Sequence, residues 1–543
     1  MKNRNSNSKP VKIKLLAIGK NTVNDIAYRY IKYRDHNGKI KSLLIPSTTI
    51  FNLNKLRDLF VNKGYSVVAE KEHWKQVQDA LLKPTKQRIY ISYKPGFVGN
   101  SYLCADNTVI GPESKHGPIL SPDSKLQLPI ESIKGEHDKW QAFVEKVQPH
   151  SPVLTCTLCT AFAGFITKLM NMDSGGFHIF GTSSMGKSTS LRFAASIFGS
   201  PLFVQSWDMT DKALEESAEG HNDSTLMLDE LKLIHEDPKI AAKMATKRVY
   251  QLAEGKGKAR CVNYQGASSE WNLAFLSAGE LSLSRHASDG QSSRFEGEAV
   301  RIIDVPADTN SRHGIFKSLP SGFNSAQEVL EYINTNVSEN HGTAKGKFLE
   351  RLTAELANDK SAVLEFLDEK MSDFLSNVNS QKLNGQHYRI ARRFGLSYAA
   401  GCLAKEYGVL SLSKHGALLR KCYISAIESI PVSPEQLIDA KCDHVLKILD
   451  EQQFDMLSSY DREAPELYTV NGFRKVIKGR NCILVRKEFM HTLINDPFFQ
   501  DSVLDKLSST GYLYKDSQGK RTRSIKLPDE NKERFYCIIT DLE

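Results

Sequence analysis

The sequence predicts a multidomain α/β protein organised around one parallel sheet, and three observations carry that expectation. Residues 175–200, GGFHIFGTSSMGKSTSLRFAASIFGS, read as a short apolar strand, a glycine-rich loop and a helix. A second apolar strand from Ser224 ends in the adjacent carboxylates Asp229 and Glu230, and a third, Trp271–Ser277, ends in a small polar residue. After residue 325 the spacing turns helical, in AKGKFLERLTAELA and HYRIARRFGLSYAAGCLAKEYG, before a last unit of helices and a hairpin. With 543 residues, 40% hydrophobic and 25% charged, the chain is long enough to bury several cores.

Taken in order, residues 1–16 are polar and basic with no apolar h-region, which suits a disordered tail and not a signal peptide. Residues 17–150 alternate β-rich runs, Ile26–Tyr33 and Arg88–Tyr93, with a helix over Leu53–Asn62, an α+β pattern with a hairpin from Pro95 and no catalytic constellation. The uncharged run Val147–Thr167 has an apolar part of about 14 residues, the length of a core helix and too short for a bilayer, so no membrane partner is expected. Cys156 and Cys159 lie on that helix, but no second pair at comparable spacing exists, so buried thiols are expected and structural zinc is not. The odd total of nine cysteines fits a reducing, cytoplasmic setting.

Gly181-x-x-x-x-Gly186-Lys187-Ser188 is the Walker A pattern, and it stands where the pattern has mechanical meaning, between a strand and a helix. Glycines let the backbone curl so that successive N–H groups converge at the positive end of the helix, as a triphosphate requires. Gly181, Thr182, Ser183, Ser184, Met185, Gly186, Lys187, Ser188 and Thr189 are therefore the candidates for binding ATP. Lys187 would reach the β- and γ-phosphates, and Ser188 would share Mg2+ with Asp229. Asp229-Glu230, 42 residues after Lys187, has the Walker B form, with Glu230 placed to polarise the attacking water.

Ser277 is the candidate polar sensor beside that strand. Arg294 and Arg301, ahead of Arg285, are candidates for an arginine finger reaching a neighbouring subunit's site, and Arg389, Arg392 and Arg393 for a second sensor; surface ion pairing is the plain alternative for all of them. Lys256, Lys258 and Arg260 open a hairpin that follows a helix ending at Gly255 and turns near Gln265-Gly266. Those cations suit a nucleic-acid backbone, and equally a merely solvated hairpin.

Residues 151–324 thus read as an AAA+-like P-loop ATPase core, 325–435 as a helical lid region and 436–543 as a winged-helix-like unit. In the last, helices over Lys487–Ile494 and Phe499–Ser508 precede a loop whose Lys520, Arg521, Arg523 and Lys526 would arm a wing for DNA. Asp501 and Asp505 equip the second helix poorly for reading DNA, and a protein-binding winged helix stays open.

Through GFHIFGTSSMGKSTSLRFAASIFGSP, LMLDEL, YQLAEGKGKAR, FLSAGE and RIIDVPAD, with PGFVGNSYLCADNTVIG upstream and NGQHYRIARRFGL downstream, the sequence resembles domain-of-unknown-function family 927. Members often occur on mobile genetic elements, and some are similar in plan to the minichromosome maintenance and superfamily 3 ring helicases. The resemblance implies a homo-oligomer, hexameric by analogy, that uses ATP and Mg2+ to move along single-stranded or forked DNA while a mobile element replicates. A net charge of +9 and a pI near 8.8 suit such a polyanionic partner without singling it out. A second class fits the same residues: an ATP-driven switch or scaffold, for example in anti-phage defence, that unwinds nothing. A motor needs the Lys256–Arg260 hairpin for coupling, and a switch does not.

Overall fold

The computed structural model describes residues 11–20, 26–112, 117–122, 124, 126–258, 269–289, 296–378, 385–428, 434–497, 499–515 and 519–540. Arg260, Arg294 and the expected turn at Gln265-Gly266 lie outside the described residues.

The first strands, β1 (Ile13–Lys20), β2 (Ala27–Arg34) and β3 (Ile40–Pro46), form an antiparallel sheet covered by α1 (Leu53–Asn62) and α2 (Lys71–Leu82). Ile31, Tyr33, Ile45, Phe60 and Trp74 make its core. Asn52 caps α1 by accepting from the Lys55 amide at 3.1 Å, which explains the helix start. Five short strands follow: β4 (Tyr90–Ser92), β5 (Gly96–Val98), β6 (Ser101–Leu103), β7 (Val109–Ile110) and β8 (Pro118–Leu120). The hairpin expected from Pro95 is β5–β6, with Gly96 opposite Leu103.

Helices α3 (His137–Val147) and α4 (Pro152–Ala163) come next, and every residue of α4 is buried. Ser151 caps α4 and Pro152 opens it, and an apolar surface on all sides makes it a core element. Among the described residues no helix is long and apolar enough to cross a membrane.

The central elements are β9 (Gly175–Phe180), α5 (Lys187–Ala195), β10 (Gln205–Ser206), α6 (Asp211–Gly220), β11 (Thr225–Asp229), α7 (Pro238–Glu254), β12 (Ala274–Gly279), α8 (Leu283–Asp289), α9 (Glu296–Ala299) and β13 (Ile302–Pro306). Their strands form one parallel sheet in the order β10-β11-β12-β9-β13. Side chains alternate between two apolar faces: Met227, Leu276, Phe177 and Ile179 join the core containing α4 and α5, while Leu226, Leu228 and Phe275 join the one containing α6 and α7. Two expected boundaries move. The helix after the loop, which the sequence predicts over Lys187–Phe198, ends at Ala195, and the third strand begins at Ala274 instead of Trp271.

Helices α10 (Ala326–Glu339), α11 (Thr343–Asn358), α12 (Lys360–Asn377), α13 (Gly385–Glu406) and α14 (His415–Glu428) follow; α13 and α14 pack on the face of α4 that the sheet leaves bare, α12 packs on α13, and α10 packs on α3 and α5. One apolar core consequently runs from Tyr102 through α3, α4 and the sheet to Ala426. The last unit is α15 (Pro434–Glu451), β14 (Gly472–Ile477), β15 (Arg480–Val485), α16 (Lys487–Ile494), α17 (Gln500–Ser509), β16 (Thr522–Lys526) and β17 (Lys532–Ile539), with strand order β14-β15-β17-β16. Helices α15, α16 and α17 cover one face of that sheet; a second core fills the other. The hairpin β14–β15 is an addition to the order expected from the sequence.

Candidate nucleotide site

The glycine loop leaves the C-terminal end of β9, where the parallel strands of a doubly covered sheet place their ligands. Gly186 takes φ 95° at the N-cap of α5, and a Cβ there would lie 2.8 Å from Leu330 Cδ2, so only glycine fits. The loop is tied down by the Ala307 amide donating to Phe180 O at 2.7 Å and the Ile315 amide to Met185 O at 3.2 Å. Thr182, Ser183 and Ser184 are exposed, Ser188 is half-buried, and Thr189 is buried beside Asn334.

Lys187 Nζ donates to the loop's own carbonyls, Gly181 O at 2.7 Å and Thr182 O at 2.6 Å. Burial lowers its pKa, and the carboxylates of Glu280 and Asp229 work against that fall, Glu280 the more strongly. Asp229 ends β11 and accepts from the Glu230 amide at 2.9 Å, and Glu230 itself is held in the left-handed region at φ 60°, ψ 56°. A non-glycine residue there costs on the order of 1–2 kcal/mol, the kind of strain that collects at working sites. Glu280 was not singled out from the sequence. Its signal is its position, the first residue beyond β12 at the same end of the sheet as the loop.

This donor set, an ammonium over a glycine loop at a helix N-terminus with a hydroxyl and carboxylates beside it, fits a nucleoside triphosphate with a divalent cation. Among the described residues no cluster of three or more His, Cys, Asp or Glu is arranged to hold a metal by itself, and Cys156 and Cys159 are buried free thiols.

The structure gives Ser277 another occupation than contact with phosphate. It is buried, its oxygen accepts from Trp207 Nε1 at 2.9 Å, and it lies 2.9 Å from His178 Nδ1. His178 Nε2 faces Leu281 O at 2.9 Å, and a carbonyl only accepts, so Nε2 carries the proton and Nδ1 accepts from Ser277. Ser277, His178 and Asp304 are in register on adjacent strands. Asp304 in turn accepts from the amides of Leu283 and Ser284, holding the start of α8, on which Arg285 sits.

Two of the candidate arginines, Arg301 and Arg393, fall away from the loop. Arg301 precedes β13 at the opposite end of the sheet and stacks 5.4 Å over Tyr250. Arg393 is buried at that same end, donating to Asp173 O at 2.8 Å, and desolvation brings its pKa down to about 10.

The two ends of the segment expected to form the basic hairpin are joined by the Gly257 amide donating to Ser269 O at 2.7 Å. Lys256 faces Glu270 at 3.8 Å, and Lys258 is bonded to Asp211 at 2.7 Å. Asp211 gathers Lys258, Lys247 and Arg248, which hold its carboxyl well below the usual range. In the last unit Arg521 is clamped by Asp501 and Asp505, Arg523 stacks 4.6 Å over Tyr514, Lys526 lies 3.5 Å from Glu530, and Lys520 is exposed. The acidic residues that make α17 a poor reader of DNA are thus the partners of the expected wing's Arg521.

Residues 5–269 match the family described as "Domain of unknown function (DUF927)". A solved structure described as "SCCmec type IV Cch - active helicase" is similar over 97% of this chain and 93% of its own, at 18% identity and a TM-score of 0.62, and the two share a fold. Another, "The A form apo structure of NrS-1 C terminal region-CTR(305-718)", aligns over 72% of this chain and 87% of its own at 11% identity and a TM-score of 0.24. No curated protein matches the chain.

Proposed function

We propose that the protein is an ATP-dependent DNA helicase or translocase acting as an oligomeric ring, hexameric in the resemblance's terms, in the replication of a mobile genetic element. The observation that carries this is the convergence of Lys187, Asp229 and Glu280 at one end of a five-stranded parallel sheet, beside a glycine loop and a strained Glu230. The shared fold with a structure described as an active helicase supports the same reading.

In this reading Gly181–Thr189 binds ATP, and Ser188 and Asp229 hold Mg2+, which when bound supplies charge neutralisation on the phosphates. Lys187 leaves its loop carbonyls for the phosphate oxygens, and Glu230 accepts the proton of the attacking water. Ser277 acts through His178 and Asp304, positioning the β12–α8 connection. An arginine from a neighbouring subunit completes the site, Arg294 ahead of Arg301 because the latter is engaged by Tyr250. Residues 436–543 serve as a winged-helix unit.

One observation favours the second reading, a switch or scaffold: Lys258 spends its charge on Asp211. Displacement of a labelled strand from forked DNA decides between them. The proposal expects ATP-dependent displacement, reduced by at least about 100-fold in Glu230→Gln; wild type that hydrolyses ATP but displaces nothing supports the switch.

A further inference from the structure

We propose that the β14–β15 ribbon is a binding surface for the phosphodiester backbone of double-stranded DNA. No acidic residue occurs between Glu466 and Glu488, while Arg474, Lys475, Lys478 and Arg480 all fall on this hairpin. Among the described residues none of these four has an ion-pair partner. The contrast with the hairpin first expected to serve as the wing is one of spent against unspent charge. There Arg521 is neutralised by two aspartates, Lys526 by Glu530, and Arg523 covers Tyr514.

The ribbon is also well made for presenting charge. Lys478 and Gly479 have φ of 51° and 82°, the paired left-handed residues of a type I′ turn, whose twist matches that of the flanking strands. β15 pairs with β17 only over Cys482–Val485, so Val476–Arg480 lies beyond the four-strand ladder as two strands alone. Alternation places Arg474 and Val476 on one side of β14, roughly 6.7 Å apart, with Lys478 following in the turn, and Val476 is 53% exposed. A two-stranded ribbon fits the major groove of a duplex. Single-strand binders instead stack bases on aromatic side chains, and residues 474–481 contain none.

The inference rests on the nucleic-acid part of the proposed function but not on hydrolysis, so it is tested without nucleotide. Full-length protein is titrated into a labelled duplex of mixed sequence, and into phosphatidylserine vesicles, between about 50 and 200 mM salt. The variant combines Arg474→Gln, Lys478→Asn and Arg480→Gln. Asn-Gly keeps the type I′ turn, so the hairpin is retained while three charges are lost.

Duplex affinity is expected to fall by about tenfold or more, and the slope of log affinity against log salt to shrink by about 2.7. Arg521→Gln should leave duplex affinity within about twofold, since that charge is already neutralised. Basal ATP hydrolysis should be unchanged in both variants. Unchanged duplex affinity and slope in the triple variant would overturn the assignment, as would retained duplex binding with lost vesicle binding, which would make the surface a membrane contact.

Discussion

At the scale of single residues, the side chains fall into groups that face the glycine loop and groups that hold those in place. Ser277 belongs to the second. Ser277→Ala leaves the Trp207 indole N–H without its acceptor, a cost of about 1–3 kcal/mol, so the thermal midpoint should fall. A serine that only touched phosphate would lower hydrolysis and leave that midpoint in place. The sequence showed the strand and its polar residue but not which way the hydroxyl turns, because that is fixed by Trp207 and His178 from other strands. Glu280 was illegible for the same reason: its proximity to Lys187 arises only when β12 lies beside β9.

His221 supplies a pH dependence. It is fully buried, Nδ1 bonds to Ser217 O at 2.7 Å, and burial brings its pKa down to about 4. Unfolded histidine binds a proton near pH 6.5, so between that value and about 4 the unfolded chain holds more protons and stability falls as pH falls. The loss approaches about 3 kcal/mol by pH 4. Urea midpoints at pH 7 and pH 5 should therefore drop in wild type and drop less in His221→Gln. His415, whose burial also brings it to about 4, acts in the same direction, as do His137, His150 and His387, whose burial lowers them as well.

At the scale of elements, strand–loop–helix and strand–Asp–Glu were readable because period and punctuation are local: Gly181, Gly186 and the carboxylates sit where strands end. The β14–β15 hairpin escaped because its turn is Lys-Gly and its outward positions are cationic, a weaker signal than Asn-Gly between alternating apolar residues. Order within the sheet was not readable either, since it depends on long-range pairing. Gly176→Ala tests that order. A Cβ at Gly176 would lie 1.6 Å from Phe275 O on β12, so the substitution should cost more than about 4 kcal/mol and abolish soluble, folded protein. A stable Gly176→Ala protein, assessed by circular dichroism, would contradict the pairing of β9 with β12.

At the scale of the whole molecule, composition marked several cores, yet the largest one ignores the expected divisions. The segment from Pro95 docks on the turn that leads into β11: the Phe97 amide donates to Asp223 Oδ2 at 3.0 Å, and Asn222 Nδ2 to Pro95 O at 3.1 Å. Gly96 is required there, because a Cβ would stand 2.5 Å from Asp223 Oδ2. Helix α4 binds the sheet on one side and α13 and α14 on the other, so movement in the helical region bears directly on the strands that carry the loop. In the proposed motor these connections would couple phosphate chemistry to a distant surface. The most direct test is steady-state ATP hydrolysis with and without single-stranded and forked DNA, with Lys187→Ala as the comparison. The account predicts stimulation of at least about tenfold by DNA, abolished in Lys187→Ala; hydrolysis that is indifferent to DNA would contradict it.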